Sequence, residues 1–120
     1  MTRPGTGETF ALRYLSEGEK MAEGLILEFD GLGVEQYQQV NQLLGIDMDS
    51  GEGDWPAGLH THVGGAKDNG WVVFELWASR ADQERFLAER LGPALAQAGI
   101  EGPPARMEWI EVAAHQTPGS

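Results

Sequence analysis

The sequence contains no cysteine in its 120 residues. This absence excludes disulfide bonds, thiolate nucleophiles, iron–sulfur clusters and cysteine-ligated zinc. Positive charge is also scarce, since 8 Lys and Arg stand against 19 Asp and Glu, for a formal net charge of −11. A surface of that sign repels phosphate backbones and anionic lipid. We therefore expect no nucleic-acid partner.

Long apolar runs are missing as well. No stretch of the sequence approaches the ~20 apolar residues that a membrane-spanning helix requires, and the first twenty residues lack the apolar centre of a signal peptide. The hydrophobic fraction of 41% is nevertheless enough for one compact domain with a buried core. We expect a soluble, cytoplasmic protein that does not contact a membrane.

Hydrophobic periodicity and turn residues divide the chain into a flexible N-terminal arm (residues 1–20), one domain (21–113) and a C-terminal tail (114–120). The arm carries a few apolar side chains through which it could dock, namely Phe10, Leu12, Tyr14 and Leu15. Within the domain the pattern predicts strands over 24–30, 59–63, 71–77 and 106–112, and helices over 34–45 and 80–99, the second of which kinks or restarts at Pro93. This β-α-β-β-α-β order is the ferredoxin-like α+β unit.

Strand alternation predicts which side chains share a face of the sheet. His60 and His62 lie on one face of the second strand. In the third strand an all-apolar set, which we expect to meet the helices, consists of Val72, Phe74 and Leu76. The opposite face then holds the two histidines together with Trp71, Val73, Glu75, Trp77, Ile26 and Glu28. Such a face is too apolar to remain in water. We therefore predict that the same face of a second copy covers it, in a homodimeric α/β barrel.

The passage VVFELWASRADQERF (residues 72–86) resembles the strand-to-helix passage of the antibiotic-biosynthesis-monooxygenase-like members of the dimeric α/β barrel superfamily. Glu75, Trp77 and Ser79 match the Glu-x-Trp-x-Ser signature, and the element order extends the resemblance over residues 21–113. Many of those monooxygenases carry a histidine nine residues beyond the tryptophan, where this chain has Phe86. The wider pattern is similar to that of uncharacterised actinobacterial barrel proteins. The resemblance implies a small-molecule cleft and cofactor-independent oxygenase chemistry.

The segment GLHTHVGG (residues 58–65) holds the leading candidates for the chemistry. A hairpin that turns near Asp68 and Asn69 sets His62 opposite Glu75 and His60 opposite Trp77. A histidine–carboxylate pair in a cleft can act as a general base, whereas the alternative is a hydrogen-bonded pair that solvates itself inside the barrel. The two imidazoles with Glu75 or Glu28 could also bind a metal ion. We favour the carboxylate pairing and therefore expect no metal and no other cofactor.

Tryptophan is the second signal, because aromatic walls bind flat apolar ligands. The candidate substrate-binding residues are Trp55, Trp71, Trp77, Trp109, Val73, Ile26 and Glu28, with Trp55 as a lid and dimer packing as the alternative role of the tryptophans. If the protein is an enzyme, we expect oxidation of an activated phenol or anthrone, a small, apolar, polyketide-like molecule. His62 is then the base, Glu75 orients it, His60 binds the oxyanion and Trp77 stacks on the ring. A cyclase, an isomerase or a non-catalytic binding protein remain alternatives.

Overall fold

The computed structural model describes residues 22–119, which form a four-stranded antiparallel sheet with helices on one face. Along the chain the elements are β1 (Glu23–Asp30), α1 (Val34–Leu44), β2 (Ile46–Asp47), β3 (Glu52–Gly53), β4 (Leu59–Lys67), β5 (Gly70–Trp77), α2 (Arg80–Phe86), a π-helical turn (Leu87–Leu91), α3 (Gly92–Gln97) and β6 (Arg106–Glu111). The four main strands pair in the order β4-β5-β1-β6. The predicted α+β class and the order of the main elements are confirmed, and the segment predicted as a loop contains the short pair β2–β3.

The predicted N-terminal arm, with Phe10, Leu12, Tyr14 and Leu15, lies outside the described residues. The domain limits therefore stay predictions. Within residues 22–119, no helix combines the length and the apolarity that crossing a bilayer requires.

Helix α1 directs one stripe of side chains at the sheet. Val40, Asn41 and Leu44 are buried, and Tyr37 lies one turn earlier on the same side, as a spacing of three or four residues requires. Gly45 ends the helix in the left-handed conformation (φ 78°), which a glycine adopts without steric cost. Tyr37 and Asn41 are thereby held against the centre of the sheet.

The β4–β5 hairpin turns at Asp68 and Asn69, as the Asn-Gly sequence predicts. Asn69 has a φ of 60°, a left-handed conformation that asparagine tolerates better than most residues. The pairing sets His62 opposite Glu75, which confirms the predicted register at this point. It does not set His60 opposite Trp77, because a bulge places Leu59 there and leaves His60 as the extra residue.

The face assignment of β5 was wrong. The side chains that meet the helices are Trp71, Val73, Glu75 and Trp77, whose register partners on β1 are Phe29, Leu27, Leu25 and Glu23, in that order. The other face carries Val72, Phe74 and Leu76, together with Ile26 and Glu28 of β1. Trp77 and Leu25 are fully buried in the core between sheet and helices. Because β5 is apolar on both faces, its alternation alone could not decide which face the helices cover, and the larger aromatic side chains fill the deeper space.

The second helical segment begins at Ser79, whose hydroxyl oxygen accepts a hydrogen bond from the Asp82 backbone N–H. It does not run evenly to residue 99. A π-helical turn over Leu87–Leu91 precedes α3, and the Gly92 N–H donates to the carbonyl of Leu87, five residues back. Pro93 has no N–H and its ring displaces a preceding carbonyl, so the helix restarts here as predicted.

Candidate active site

A cavity of about 70 Å³ lies between the sheet, α1, the second helical segment and the connection from α1 to β4. Most of its wall is aliphatic or aromatic. The polar side chains that reach it are Tyr37, Asn41, His62 and Glu75. The cavity is therefore formed within a single chain, on the helix side of the sheet. The sequence had predicted a cleft on the opposite face, between two copies.

His62 and Glu75 form the centre of the site. The Nδ1 atom of His62 lies 2.8 Å from Glu75 Oε2, and the indole N–H of Trp77 donates to Glu75 Oε1 over 2.9 Å. Glu75 is only 7% exposed, so both oxygens of a buried carboxylate have donors. An ionised carboxylate only accepts hydrogen bonds. When Glu75 is ionised, His62 Nδ1 donates to it, and the Nε2 lone pair is directed away from Glu75.

Tyr37 binds that second ring nitrogen. Its hydroxyl oxygen lies 2.5 Å from His62 Nε2, and the two ring planes differ by 14°. The Tyr37 ring also packs on Trp71, with ring centroids 4.6 Å apart. Gly64 makes this approach possible, because a Cβ atom there would lie 2.7 Å from the Tyr37 oxygen. The site is thus a continuous series of hydrogen bonds from Tyr37 through His62 to Glu75 and Trp77.

Burial raises the pKa of the Tyr37 phenol. The nearby Asn41 amide opposes this rise in pKa, and the negative charge of Glu75 adds to it. The phenol therefore stays protonated at neutral pH and donates to His62 Nε2. Tyr37, His62 and Glu75 all border the cavity, so a proton from the cavity can enter the series at Tyr37.

Three predicted binding residues line the cavity: Trp55, Trp71 and Val73. Trp55 lies on the connection between β3 and β4, with its ring centroid 6.2 Å from that of His62, and its indole N–H donates to the Gly51 carbonyl. Trp77 lies behind the wall, where it holds Glu75. Trp109 packs at the edge of the core with the Arg80 guanidinium 5.0 Å from its ring centroid, away from the cavity.

Three other predicted site residues are not brought to the cavity. His60 is exposed at the β4 bulge. Ile26 and Glu28 lie on the sheet face without helices, where Glu28 pairs with Arg106 over 3.0 Å. Among residues 22–119, no group of three or more His, Cys, Asp and Glu side chains is arranged to hold a metal ion. The possible metal set of His60, His62 and Glu75 or Glu28 does not assemble, because the bulge and the strand alternation separate its members.

Tyr37 and Asn41 were missed as site residues by the sequence analysis. The spacing of Tyr37 from Val40 and Leu44 puts it on the buried stripe of α1. A hydroxyl on such a stripe needs a hydrogen-bond partner, and that requirement was the signal that pointed to a polar neighbour on the sheet. The partner lies 25 residues away on β4, so the sequence alone could not identify it.

No protein-family model matches the chain, and no curated protein matches it. Solved structures that share the fold include the following three. A candidate antibiotic biosynthesis monooxygenase from Chloroflexus aurantiacus J-10-fl is 12% identical, with a TM-score of 0.56 over 82% of this chain and 99% of that one. The NE2512 protein of unknown function from Nitrosomonas europaea is 15% identical, with a TM-score of 0.57 over 82% and 96%. A mutant of SnoaB, a cofactor-independent oxygenase from Streptomyces nogalater, is 16% identical, with a TM-score of 0.50 over 82% and 98%. The chain therefore shares its α+β fold with these three proteins.

Proposed function

We propose that the chain is a cofactor-independent enzyme of the monooxygenase type that removes a proton from an apolar aromatic substrate in the helix-side cavity. The observation that carries this proposal is the hydrogen-bonded series of Tyr37, His62 and Glu75 in the wall of an apolar cavity. A carboxylate behind an imidazole orients the ring and stabilises the charge that it gains with a proton. The fold shared with a cofactor-independent oxygenase supports the same conclusion.

The substrate in this proposal is an activated phenol or an anthrone, and the co-reactant is O₂. Loss of a proton gives a carbanion, which passes one electron to O₂, and the radical pair combines to a peroxide anion. This anion takes the proton back from the imidazolium through Tyr37 and becomes a hydroperoxide. For an anthrone methylene group, loss of water then leaves a carbonyl. One oxygen atom of O₂ enters the product and the other leaves as water. The substrate supplies all four electrons, so the reaction needs no external reductant.

Tyr37 stands between the substrate and His62. As the substrate proton arrives at the Tyr37 oxygen, the phenol proton passes to His62 Nε2, 2.5 Å away. Tyr37 remains neutral throughout, in keeping with its raised pKa, and the positive charge rests on the imidazole beside Glu75. Tyr37 is the group that touches the substrate. His62, Glu75 and Trp77 act behind it.

A specific observation favours a second function, binding without chemistry. Both ring nitrogens of His62 already have partners, and the cavity of about 70 Å³ is smaller than the ~300–1,000 Å³ of typical small-molecule sites. A ligand larger than a few atoms must displace part of the wall, and the connection that carries Trp55 is the part without a main-sheet strand or helix. A cyclase or isomerase that uses the same base is a further alternative.

Oxygen uptake and anthraquinone formation from anthrone test the proposal. We expect both rates to be higher with the wild-type protein than in buffer alone. Glu75→Gln should reduce this acceleration at least tenfold. Glu84→Gln, an exposed carboxylate on α2, is the matched control and should keep the wild-type rate. Exchange of the methylene protons in D₂O under argon without oxygen uptake in air would identify an isomerase-type base. Anthrone binding with neither reaction would identify a binding protein.

We also propose that a second copy covers the sheet face opposite the helices, here called the open face. The reason differs from the predicted one, because Trp71 and Trp77 do not lie there. The open face instead carries the apolar side chains of Ile26, Val63, Val72, Phe74 and Ile110. Val63 is 57% exposed and Ile110 39% exposed in the single chain. An apolar strip of this kind in the centre of a sheet is typical of a subunit interface.

A further inference from the structure

Two nitrogen atoms in the cavity wall are buried without a hydrogen-bond partner among residues 22–119. They are Asn41 Nδ2 and Trp71 Nε1; the Asn41 amide is near enough to the Tyr37 phenol to lower its pKa, but no contact of Nδ2 within that range has the distance and angle of a hydrogen bond. Both residues line the cavity, and both atoms are hydrogen-bond donors. Buried donors without an acceptor are costly and uncommon in folded proteins. Two such donors in the wall of one cavity indicate that this wall is built to donate to an acceptor atom.

The two donors flank the same residue. Asn41 lies one helical turn beyond Tyr37 on α1 and therefore on the same side of the helix. The Trp71 ring packs against the Tyr37 ring, with centroids 4.6 Å apart. An acceptor bound by these donors consequently lies beside the Tyr37 hydroxyl, the end of the series that leads to Glu75.

The rest of the wall limits what else the ligand can carry. Around this polar end the lining is apolar, with side chains that include Leu27, Val40, Leu44, Met48, Phe86 and Leu91. A ligand that fits has an apolar body and one acceptor group, since a second polar group in contact with that lining would lose its hydrogen bonds to water.

We infer that Asn41 and Trp71 form a subsite for a single carbonyl or enolate oxygen of the substrate. This inference rests on the proposed function and narrows the substrate class to cyclic aromatic ketones and their enols. When the carbon next to the carbonyl loses its proton, negative charge develops on this oxygen, and two fixed donors stabilise it. The sequence had assigned the oxyanion role to His60, which the structure places outside the cavity.

Binding of a matched ligand pair tests the subsite. The pair is 1-tetralone and tetralin, which differ by one carbonyl group, and calorimetry measures their affinities for the full chain. We expect wild type to bind 1-tetralone at least tenfold more tightly, because tetralin leaves both donors without an acceptor. Asn41→Leu and Trp71→Phe keep much of the wall and remove one donor each. Each should reduce the ketone preference at least threefold, and the double variant should abolish it.

The matched control is Gln38→Leu, which removes an amide from the exposed side of the same helix and should leave the preference unchanged. Asn41→Leu should melt at or above the wild-type temperature, because it removes a buried unpaired donor. A melting temperature several degrees lower would assign Asn41 a structural role and overturn the inference. An equal preference in wild type and both donor variants would overturn it too, as would failure of both ligands to bind at millimolar concentration.

The test of the subsite is independent of the test of the proposed function, because calorimetry measures ligand binding and does not require the protein to oxidise its ligand. If the ketone preference depends on both donors while anthrone is not oxidised, the subsite stands and the oxygenase function fails. If anthrone is oxidised while the preference ignores both donors, the subsite alone fails.

Discussion

His62 Nδ1 lies 2.8 Å from Glu75 Oε2, and the two residues are direct partners in the β4–β5 pairing. Only 13 residues separate them along the chain, and the turn between them is tight. This contact is therefore set by the local geometry of one hairpin. The hydrogen bond between Tyr37 and His62, by contrast, forms only when helix α1 is docked on the sheet.

The first prediction concerns this pair. His62→Ala and Glu75→Gln should each reduce anthrone oxidation at least tenfold, about 1.4 kcal/mol of transition-state stabilisation. The double variant should lose little more than either single one, because loss of one member disables the other. Steady-state rates in the four proteins measure this, and fully additive effects would show that the two side chains act separately.

A variant of a core residue shows how much stability a purely structural side chain contributes, and His62→Ala is compared with it. Leu25 is fully buried, so Leu25→Ala should cost roughly 2–5 kcal/mol of the free energy of unfolding. We expect His62→Ala to cost less than Leu25→Ala, because the His62 side chain borders the cavity and its main penalty is the Glu75 oxygen left without a donor, roughly 1–3 kcal/mol. Phe74 does not suit this control, because it lies on the open face. An equal loss in His62→Ala and Leu25→Ala would make His62 a core residue.

The fold could be predicted largely from local patterns. The hairpin turn at Asp68 and Asn69 and the hydrophobic periodicity of the strands and helices depend on neighbouring residues, and they led to the correct order of elements. The face of β5 could not be predicted in this way, because both of its faces are apolar. The side on which the cavity lies depends on the helices that dock there, which is a tertiary property.

The second prediction concerns the alkaline pH range. The chain has two tyrosines, Tyr14 and Tyr37, and burial raises the pKa of Tyr37 above its ordinary value of 10.0. Absorbance of the phenolate should show a step at higher pH that Tyr37→Phe removes. A titration of Tyr37→Phe that kept the higher step would assign it to Tyr14.

The raised pKa of Tyr37 also predicts how the free energy of unfolding changes at alkaline pH. Since the folded state holds the Tyr37 proton more tightly than the unfolded state, the unfolded chain loses it first as the pH rises above about 10. The contribution of Tyr37 to the free energy of unfolding is thus complete below that pH and declines as the pH rises through the folded-state pKa. Denaturant unfolding should show a steeper alkaline decline in wild type than in Tyr37→Phe. Equal slopes would contradict the raised pKa.

The third prediction concerns the open face. Val63 is 57% exposed at the centre of β4, and Val34 is 51% exposed at the start of α1. If a second copy covers the open face, Val63→Lys places a charge in the interface and should give a monomer in light scattering. Val34→Lys makes the same change away from that face and should leave a dimer. A monomeric wild type at micromolar concentration would refute the dimer.

The site was less predictable than the fold, for a physical reason that His60 and Tyr37 illustrate. Simple alternation placed His60 beside His62, and one extra residue at the bulge removed it. Tyr37 joins the series through a contact between a helix and a strand 25 residues apart. A glycine on β4 makes that contact possible, and its effect becomes visible only when the helix is in place.

The last prediction compares that glycine with its neighbour. A Cβ atom on Gly64 would lie 2.7 Å from the Tyr37 oxygen and 3.2 Å from Trp71 Nε1, whereas a Cβ atom on Gly65 would meet nothing within 4 Å. Gly64→Ala must therefore push the Tyr37 ring away from His62, and the displaced phenol becomes more solvated. We expect a loss of anthrone oxidation of at least tenfold and a phenolate step closer to pH 10. The steric cost in stability should be about 1–3 kcal/mol, as overpacking typically gives.

Gly65→Ala is the control for this change, since it has the same chemistry one residue further along β4. It should retain the wild-type rate and the raised pKa of Tyr37, and its stability should be unchanged or higher by about 0.4–1 kcal/mol because the unfolded chain loses freedom. Rates, phenolate titrations and denaturant unfolding of the two variants decide the matter. If Gly64→Ala oxidises anthrone as fast as Gly65→Ala, the contact between Tyr37 and His62 is not needed, and the proton must reach His62 by another path.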